Sequence, residues 1–142
     1  MRRRNSRQDA IRQIVREGSV KTQRALVDEL RALGYSCTQA TVSRDVADMG
    51  LTKLPDGVYV LAEDQHLQRM LGEFVVGVAR AENLVVVRTQ PGTASGVAAA
   101  IDDAGLPHVL GSVAGNDTVL VIVDASEAAA TLQRLISKLS GR

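Results

Sequence analysis

Up to Gly50 the apolar residues of this chain recur at a helical period, and just beyond it the period falls to about two. Ala10, Ile11, Ile14 and Val15 form a first stripe, Leu26, Leu30 and Leu33 a second, and Val42, Val46 and Met49 a third. Steps of three and four residues place each set on one face of an α-helix. Polar caps and glycines punctuate them. Ser6, with Asp9 three residues on as a partial capping box, opens the first helix and Gly18 closes it; Thr22 and Gly34 bound the second, Thr38 and Gly50 the third. The β-prone runs Leu51–Leu54 and Val58–Leu61 then flank Pro55-Asp56-Gly57. Pro sets φ at such a turn and Gly accepts φ > 0, so these runs read as a hairpin.

Three helices and a hairpin predict a winged helix-turn-helix. The side of the third helix opposite its apolar stripe carries Ala40, Ser43, Arg44 and Ala47, with Gln39 on the flank. Ser, Arg and Gln can bond base edges or phosphates, and a small Ala40 lets backbone approach. Taken alone, the same face suits an ordinary solvated helix; its place in the element order favours a groove reader. Ser43 and Arg44 would then meet the major groove, and Lys53 on the wing would meet phosphate. Arg2, Arg3, Arg4 and Arg7 read as a basic arm ahead of the first helix, or as a solvated terminus.

Residues 63–72 are polar and then mildly apolar, and read as a linker ending in a short helical turn, between a domain at 1–62 and one at 73–142. His66 lies there with no second His or Cys nearby, which suits a solvated side chain and not a metal ligand. Strands follow at Phe74–Ala79 and Leu84–Thr89, a helix from about Thr93 to Ala104, strands at His108–Val113 and Thr118–Asp124, and a helix from about Ser126 to Ser140. The order ββαββα predicts an α+β two-layer domain with an antiparallel sheet on two helices. Its first helix is built of small residues, Ala94, Val97, Ala98, Ala99, Ala100 and Ile101, which suits close approach by another subunit.

Composition narrows the class. Of the 142 residues 45% are hydrophobic and 23% charged, as in soluble globular proteins, but only Tyr35, Tyr59 and Phe74 are aromatic. Two small cores of aliphatic residues are marginal alone, so oligomerisation is expected. A single cysteine, Cys37, excludes an internal disulfide. There is no apolar run of about 18 residues and no apolar core behind the first arginines, so a cytoplasmic chain is expected. Residues 1–62 carry 11 Lys and Arg against 7 Asp and Glu, net +4, whereas 63–142 carry 6 against 9, net −3. That split suits a front half that meets a polyanion.

Two loops of the back half have ligand chemistry. Gln90-Pro91-Gly92-Thr93-Ala94-Ser95 runs from a strand into a helix N-terminus, where free N–H groups attract anions. Gly115-Asn116-Asp117-Thr118 sets an amide and an acid on a hairpin turn, which ordinary turn chemistry explains equally well.

Three stretches, Gln39-Ala40-Thr41-Val42-Ser43-Arg44-Asp45, Thr89-Gln90-Pro91-Gly92-Thr93-Ala94 and Gly111-Ser112-Val113-Ala114-Gly115-Asn116-Asp117-Thr118, together resemble the bacterial arginine repressor family nearly end to end. The resemblance implies a transcriptional regulator that binds operators of arginine biosynthesis and catabolism genes. It implies a C-terminal domain forming trimers that pair as hexamers, with L-arginine as co-effector between trimers and no metal. By motif, Gln39, Thr41, Ser43 and Arg44 would contact DNA, and Ala94, Ser95, Asp102, Asn116 and Asp117 would contact the ligand. The chain departs at two points. Asn116 stands where the family's turn usually reads Gly-Asp-Asp-Thr, and Ser95 where some members carry a longer amide side chain. Both bear on the effector and leave the DNA half untouched, so a DNA-binding oligomer with a changed or lost effector is the second reading. A small enzyme using the Pro91-Gly92-Thr93 loop is the third; His108 and Asp102 sit in no recognisable catalytic motif.

Overall fold

A computed structural model describes the backbone of residues 2–142 and the side chains of residues 6–142. The chain divides into two compact units, Met1–Ala62 and Glu63–Arg142.

The first unit contains α1 (Arg2–Glu17), α2 (Gln23–Ala32), α3 (Gln39–Asp48) and a two-stranded antiparallel hairpin of β1 (Thr52–Lys53) and β2 (Tyr59–Val60). It is a winged helix-turn-helix. One cluster around Ile11, Leu26, Leu30, Val42 and Leu61 forms its core, each of these at most 1% exposed. Burying such a side chain stabilises the fold by about 1.5–3 kcal/mol, so the aliphatic stripes decide how the helices pack. Thr22 and Thr38 cap α2 and α3, accepting from the N–H groups of Ala25 at 3.0 Å and Thr41 at 3.2 Å. After α3 the chain reverses through Gly50 at φ +65°, while Leu51 N–H bonds Val46 C=O at 3.0 Å and Gly50 N–H bonds Ala47 C=O at 3.2 Å. This left-handed turn satisfies the last carbonyls of α3 and aims the chain into the wing.

Two readings of this unit are corrected. Leu33 is 61% exposed and Val27 is buried instead, because Leu33 is the C-cap, beyond the last position held against the core. Helix α1 begins at Arg2, so Ser6 lies inside it, and Asp9 pairs with Arg12 at 3.0 Å instead of closing a capping box. The side chains of Arg2, Arg3 and Arg4 lie outside the described residues.

The second unit begins with helix α4 (Gln65–Phe74) where a linker was expected. Leu67 and Leu71 recur at i and i+4 and are buried, and α4 packs on α5 and α6, so this stretch belongs to the core. Its polar residues outnumber its apolar ones, which disguises the stripe; His66 is exposed. Then come β3 (Val75–Ala81), β4 (Leu84–Thr89), α5 (Ala94–Asp103), β5 (Val109–Ala114), β6 (Thr118–Val123) and α6 (Ser126–Ser140). The four strands form one antiparallel sheet in the order β3-β4-β6-β5. Valines 85, 87, 119, 121 and 123 point to the helices and are fully buried. Alternation sends Val86, Leu120 and Ile122 to the other face, where no element of the unit covers them. Register aligns Ala79, Val86, Leu120 and Val113 in one row across all four strands, and Val113 is 64% exposed. The unit thus has two layers and one open apolar sheet face.

Candidate nucleic-acid interface and ligand loops

Helix α3 turns Val42, Asp45 and Val46 into the core and leaves Gln39, Ala40, Ser43, Arg44 and Ala47 exposed. Arg44 makes no hydrogen bond or ion pair with another described residue, so its guanidinium is available to an anion or a base edge. Thr41 is half-buried, and its hydroxyl lies 3.0 Å from that of Thr38 within the cap. The wing turn is closed by Leu54 N–H to Val58 C=O and Gly57 N–H to Leu54 C=O, both 2.8 Å, with Gly57 at φ +88°. Lys53 is exposed, its ammonium 5.1 Å from the centroid of the Tyr59 ring. A cation over an aromatic face is oriented yet stays solvated, which keeps it able to meet phosphate.

Arg7 was expected on the arm that reaches outward. Instead its Nε donates to Asp45 Oδ2 and its Nη2 to Asp45 Oδ1 at 3.2 Å, joining α1 to α3. The hydrogen bond to Asp45 holds the guanidinium above its ordinary pKa, against the opposing effect of burial. Sequence reasoning missed this pair. Its signal was available: Asp45 falls at i+3 of the stripe that begins at Val42.

The two ligand loops of the second unit meet. Asn116 C=O accepts from Gly92 N–H at 3.0 Å and from Ala94 N–H at 3.4 Å, and Asp117 C=O accepts from Thr89 N–H at 2.8 Å. The hairpin turn is therefore tied by its backbone to the entrance of α5. Part of the expected anion site is used in doing so, since Ala94 N–H is spent inside the chain. Ala94 is fully buried, while Ser95, Asp102 and Asn116 are exposed and Asp117 is half-buried. Asp102 is held at the foot of α5 by the Ser112 hydroxyl, 2.9 Å from Oδ1 and 3.2 Å from Oδ2. Asp117 accepts from Thr118 Oγ1–H at 3.0 Å and faces Arg88 Nη2 at 3.6 Å. Ser112 and Arg88 were not singled out from the sequence; packing of α5 on β5 brings in the first, and strand register the second, Arg88 lying opposite Thr118. Around the tied loops the arrangement offers one carboxylate, one amide and one competing cation, whereas Asp102 lies near the far end of α5, about 12 Å along the helix from Ala94. Among the described residues no cluster of His, Cys, Asp and Glu could hold a metal ion, and no helix is long and apolar enough to cross a membrane.

Comparison with known proteins gives one answer for both units. Residues 2–67 match the model of the arginine repressor DNA-binding domain, and residues 71–138 match that of the arginine repressor C-terminal domain. The chain is 41% identical over 146 residues to an arginine repressor of Pelotomaculum thermopropionicum, covering 95% of this chain and 97% of that one. Arginine repressors of Solibacter usitatus and Symbiobacterium thermophilum are 40% identical over 137 residues and 44% identical over 132. These alignments cover 94% and 86% of this chain and 94% and 88% of theirs. A winged helix followed in the chain by an α+β unit, and matched along nearly its whole length, places this chain in the arginine repressor family of DNA-binding transcriptional regulators.

Proposed function

We propose that the chain is a homo-oligomeric regulator whose affinity for operator DNA is set by L-arginine bound at the second unit. The observation that carries the reading is the tie from Gly92 and Ala94 to Asn116, which joins the two loops and keeps Asp117 beside them. A guanidinium has five donors and no acceptor, so carboxylates are its natural partners, and Asp117 already lies 3.6 Å from the guanidinium of Arg88. Asp102, oriented by Ser112, would take the ammonium end of the amino acid, with Ser95 lining the approach, buried Ala94 fixing the loop behind it and Asn116 adding a neutral acceptor. The open face of Val86, Val113, Leu120 and Ile122 supports assembly, because a contiguous apolar patch of this kind commonly marks a protein–protein contact. Trimers pairing as hexamers would bring several winged helices to one stretch of DNA and raise affinity through effective concentration. Regulation of this kind belongs in the cytoplasm, on operators of arginine biosynthesis and catabolism genes.

On DNA, Gln39, Thr41, Ser43 and Arg44 would contact the major groove and Lys53 a phosphate. Titration of genomic operator fragments with and without L-arginine tests the whole reading. Arg44→Ala should lose about 1–3 kcal/mol of specific binding. Lys53→Ala should weaken binding to all sequences and lower the salt slope by roughly one. Operator affinity that ignores both arginine and Arg44→Ala would overturn it. Asn116 favours a second reading, in which the oligomer binds DNA but its effector has changed; DNA binding sensitive to Arg44→Ala yet indifferent to arginine would select that one.

A further inference from the structure

Asp45 occupies a position that the helical pattern reserves for an apolar residue. Val42, Asp45, Val46 and Met49 are spaced i, i+3, i+4 and i+7, and Asp45 is 1% exposed. Its carboxylate enters the seam between α3 and α1, where Arg7 takes both oxygens and Gln8 Nε2 adds a contact to Oδ1 at 3.3 Å. A buried ion pair is a poor way to gain stability, since apolar residues of similar volume commonly serve as well or better. What a forked pair supplies and an apolar pair does not is direction. The plane of the carboxylate is set by the guanidinium, and with it the rotation of α3 about its own axis.

We infer that the Arg7–Asp45 pair is a positioning device for sequence recognition, holding α3 at the rotation that presents Ser43 and Arg44 to base edges. The inference rests on the reading that α3 enters the major groove. Ser43 and Arg44 immediately precede Asp45, so any rotation that moves the carboxylate moves them as a rigid body. Side-chain tips lie about 5–6 Å from a helix axis, and a turn of about 20° would carry them about 2 Å. Hydrogen bonds to bases span about half an ångström in length, so that shift breaks them. Flexible cations on phosphates accommodate such a shift, so sequence-independent binding survives it. Arg7 in this role is withdrawn from the phosphate backbone, the opposite of what a basic N-terminal stretch suggests.

The test uses the full chain, a duplex it selects from genomic fragments, and an unrelated duplex of equal length, each titrated at several salt concentrations. The variants are Arg7→Lys, Arg7→Gln, Asp45→Asn and the Arg7→Gln/Asp45→Asn double, with Arg44→Ala as control. Each single variant should lose about tenfold on the selected duplex and less than about twofold on the unrelated one, with an unchanged salt slope. The double variant should lose no more than either single one. If Arg7→Gln instead weakens both duplexes alike and lowers the slope by roughly one, while Arg7→Lys and Asp45→Asn are silent, Arg7 is a phosphate ligand and the inference fails. Wild-type affinity in every variant also overturns it. Should Asp45→Asn fail to fold by circular dichroism, Arg7→Lys decides alone, because it keeps the charge and loses the fork. A silent Arg44→Ala would show instead that the reading of the α3 face is at fault.

Discussion

Replacing Asn116 by Asp tests whether the turn at residues 115–118 is a guanidinium site. The structure makes the substitution clean. Asn116 is exposed, its side chain bonds no other described residue, and its tie to Gly92 and Ala94 runs through its backbone carbonyl, which Asp keeps. The only change is one negative charge beside Asp117. Two unit charges at about 4 Å attract by about 1 kcal/mol in water and about 4 kcal/mol at an effective dielectric of about 20. Asp117 and Arg88, the pair that shows a guanidinium reaching this turn, are 45% and 59% exposed, so the lower part of that range applies. We expect Asn116→Asp to tighten L-arginine by about 1–2 kcal/mol, roughly five- to thirtyfold in Kd. Asp117→Ala, which deletes the nearer acid, should abolish measurable binding. Isothermal titration calorimetry of L-arginine into the three proteins is the assay, with citrulline as a ligand of similar shape lacking the charge. If arginine binds the wild type and neither substitution alters its affinity, the turn has no part in the site. If citrulline gains as much as arginine from Asn116→Asp, the added charge is not what acts.

Arg88→Gln should tighten arginine about two- to fivefold by removing the cation that faces Asp117, an exposed pair being worth at most about 1 kcal/mol; a loss of affinity would show Arg88 to be part of the binding set. Gly50→Ala should destabilise the first unit by about 2–5 kcal/mol, from the left-handed φ of +65° and a Cβ only 2.9 Å from that of Ala62. Gly34→Ala, at φ +94° with nothing within 4 Å of the new Cβ, should cost only about 1–2 kcal/mol; equal shifts in thermal melts followed by circular dichroism would refute the steric part. Val113→Lys, on the open sheet face, tests the proposed assembly: it should lower the sedimentation coefficient while leaving the fold of the second unit intact, and an unchanged coefficient would show that this face carries no interface.

Local chemistry was enough for much of this molecule. The stripe Val42, Val46 and Met49, the cap at Thr38 and the stop at Gly50 delimit α3 because helical period and orphan backbone groups act within a few residues. Pro55-Asp56-Gly57 made the wing turn legible for the same reason, and the Val-rich runs of β4 and β6 did so for the sheet. Helix α4 was hidden because its two buried leucines are outnumbered by polar neighbours, and only packing on α5 and α6 reveals which residues matter. The sites divide along the same line. Sequence motifs named Arg44, Asp102 and Asp117 as candidates, because side-chain chemistry is visible in the motif itself. The partners of the charged residues were decided by tertiary structure alone, because a charge acts on whatever the fold brings within a few ångströms. Arg7 and Asp45 are 38 residues apart, and Asp102 and Ser112 belong to different layers of the second unit. Sequence determined which groups this protein has to offer; the fold decided that Arg7 faces inward and Arg44 outward, since helix packing buries one side of each helix and leaves the other to solvent.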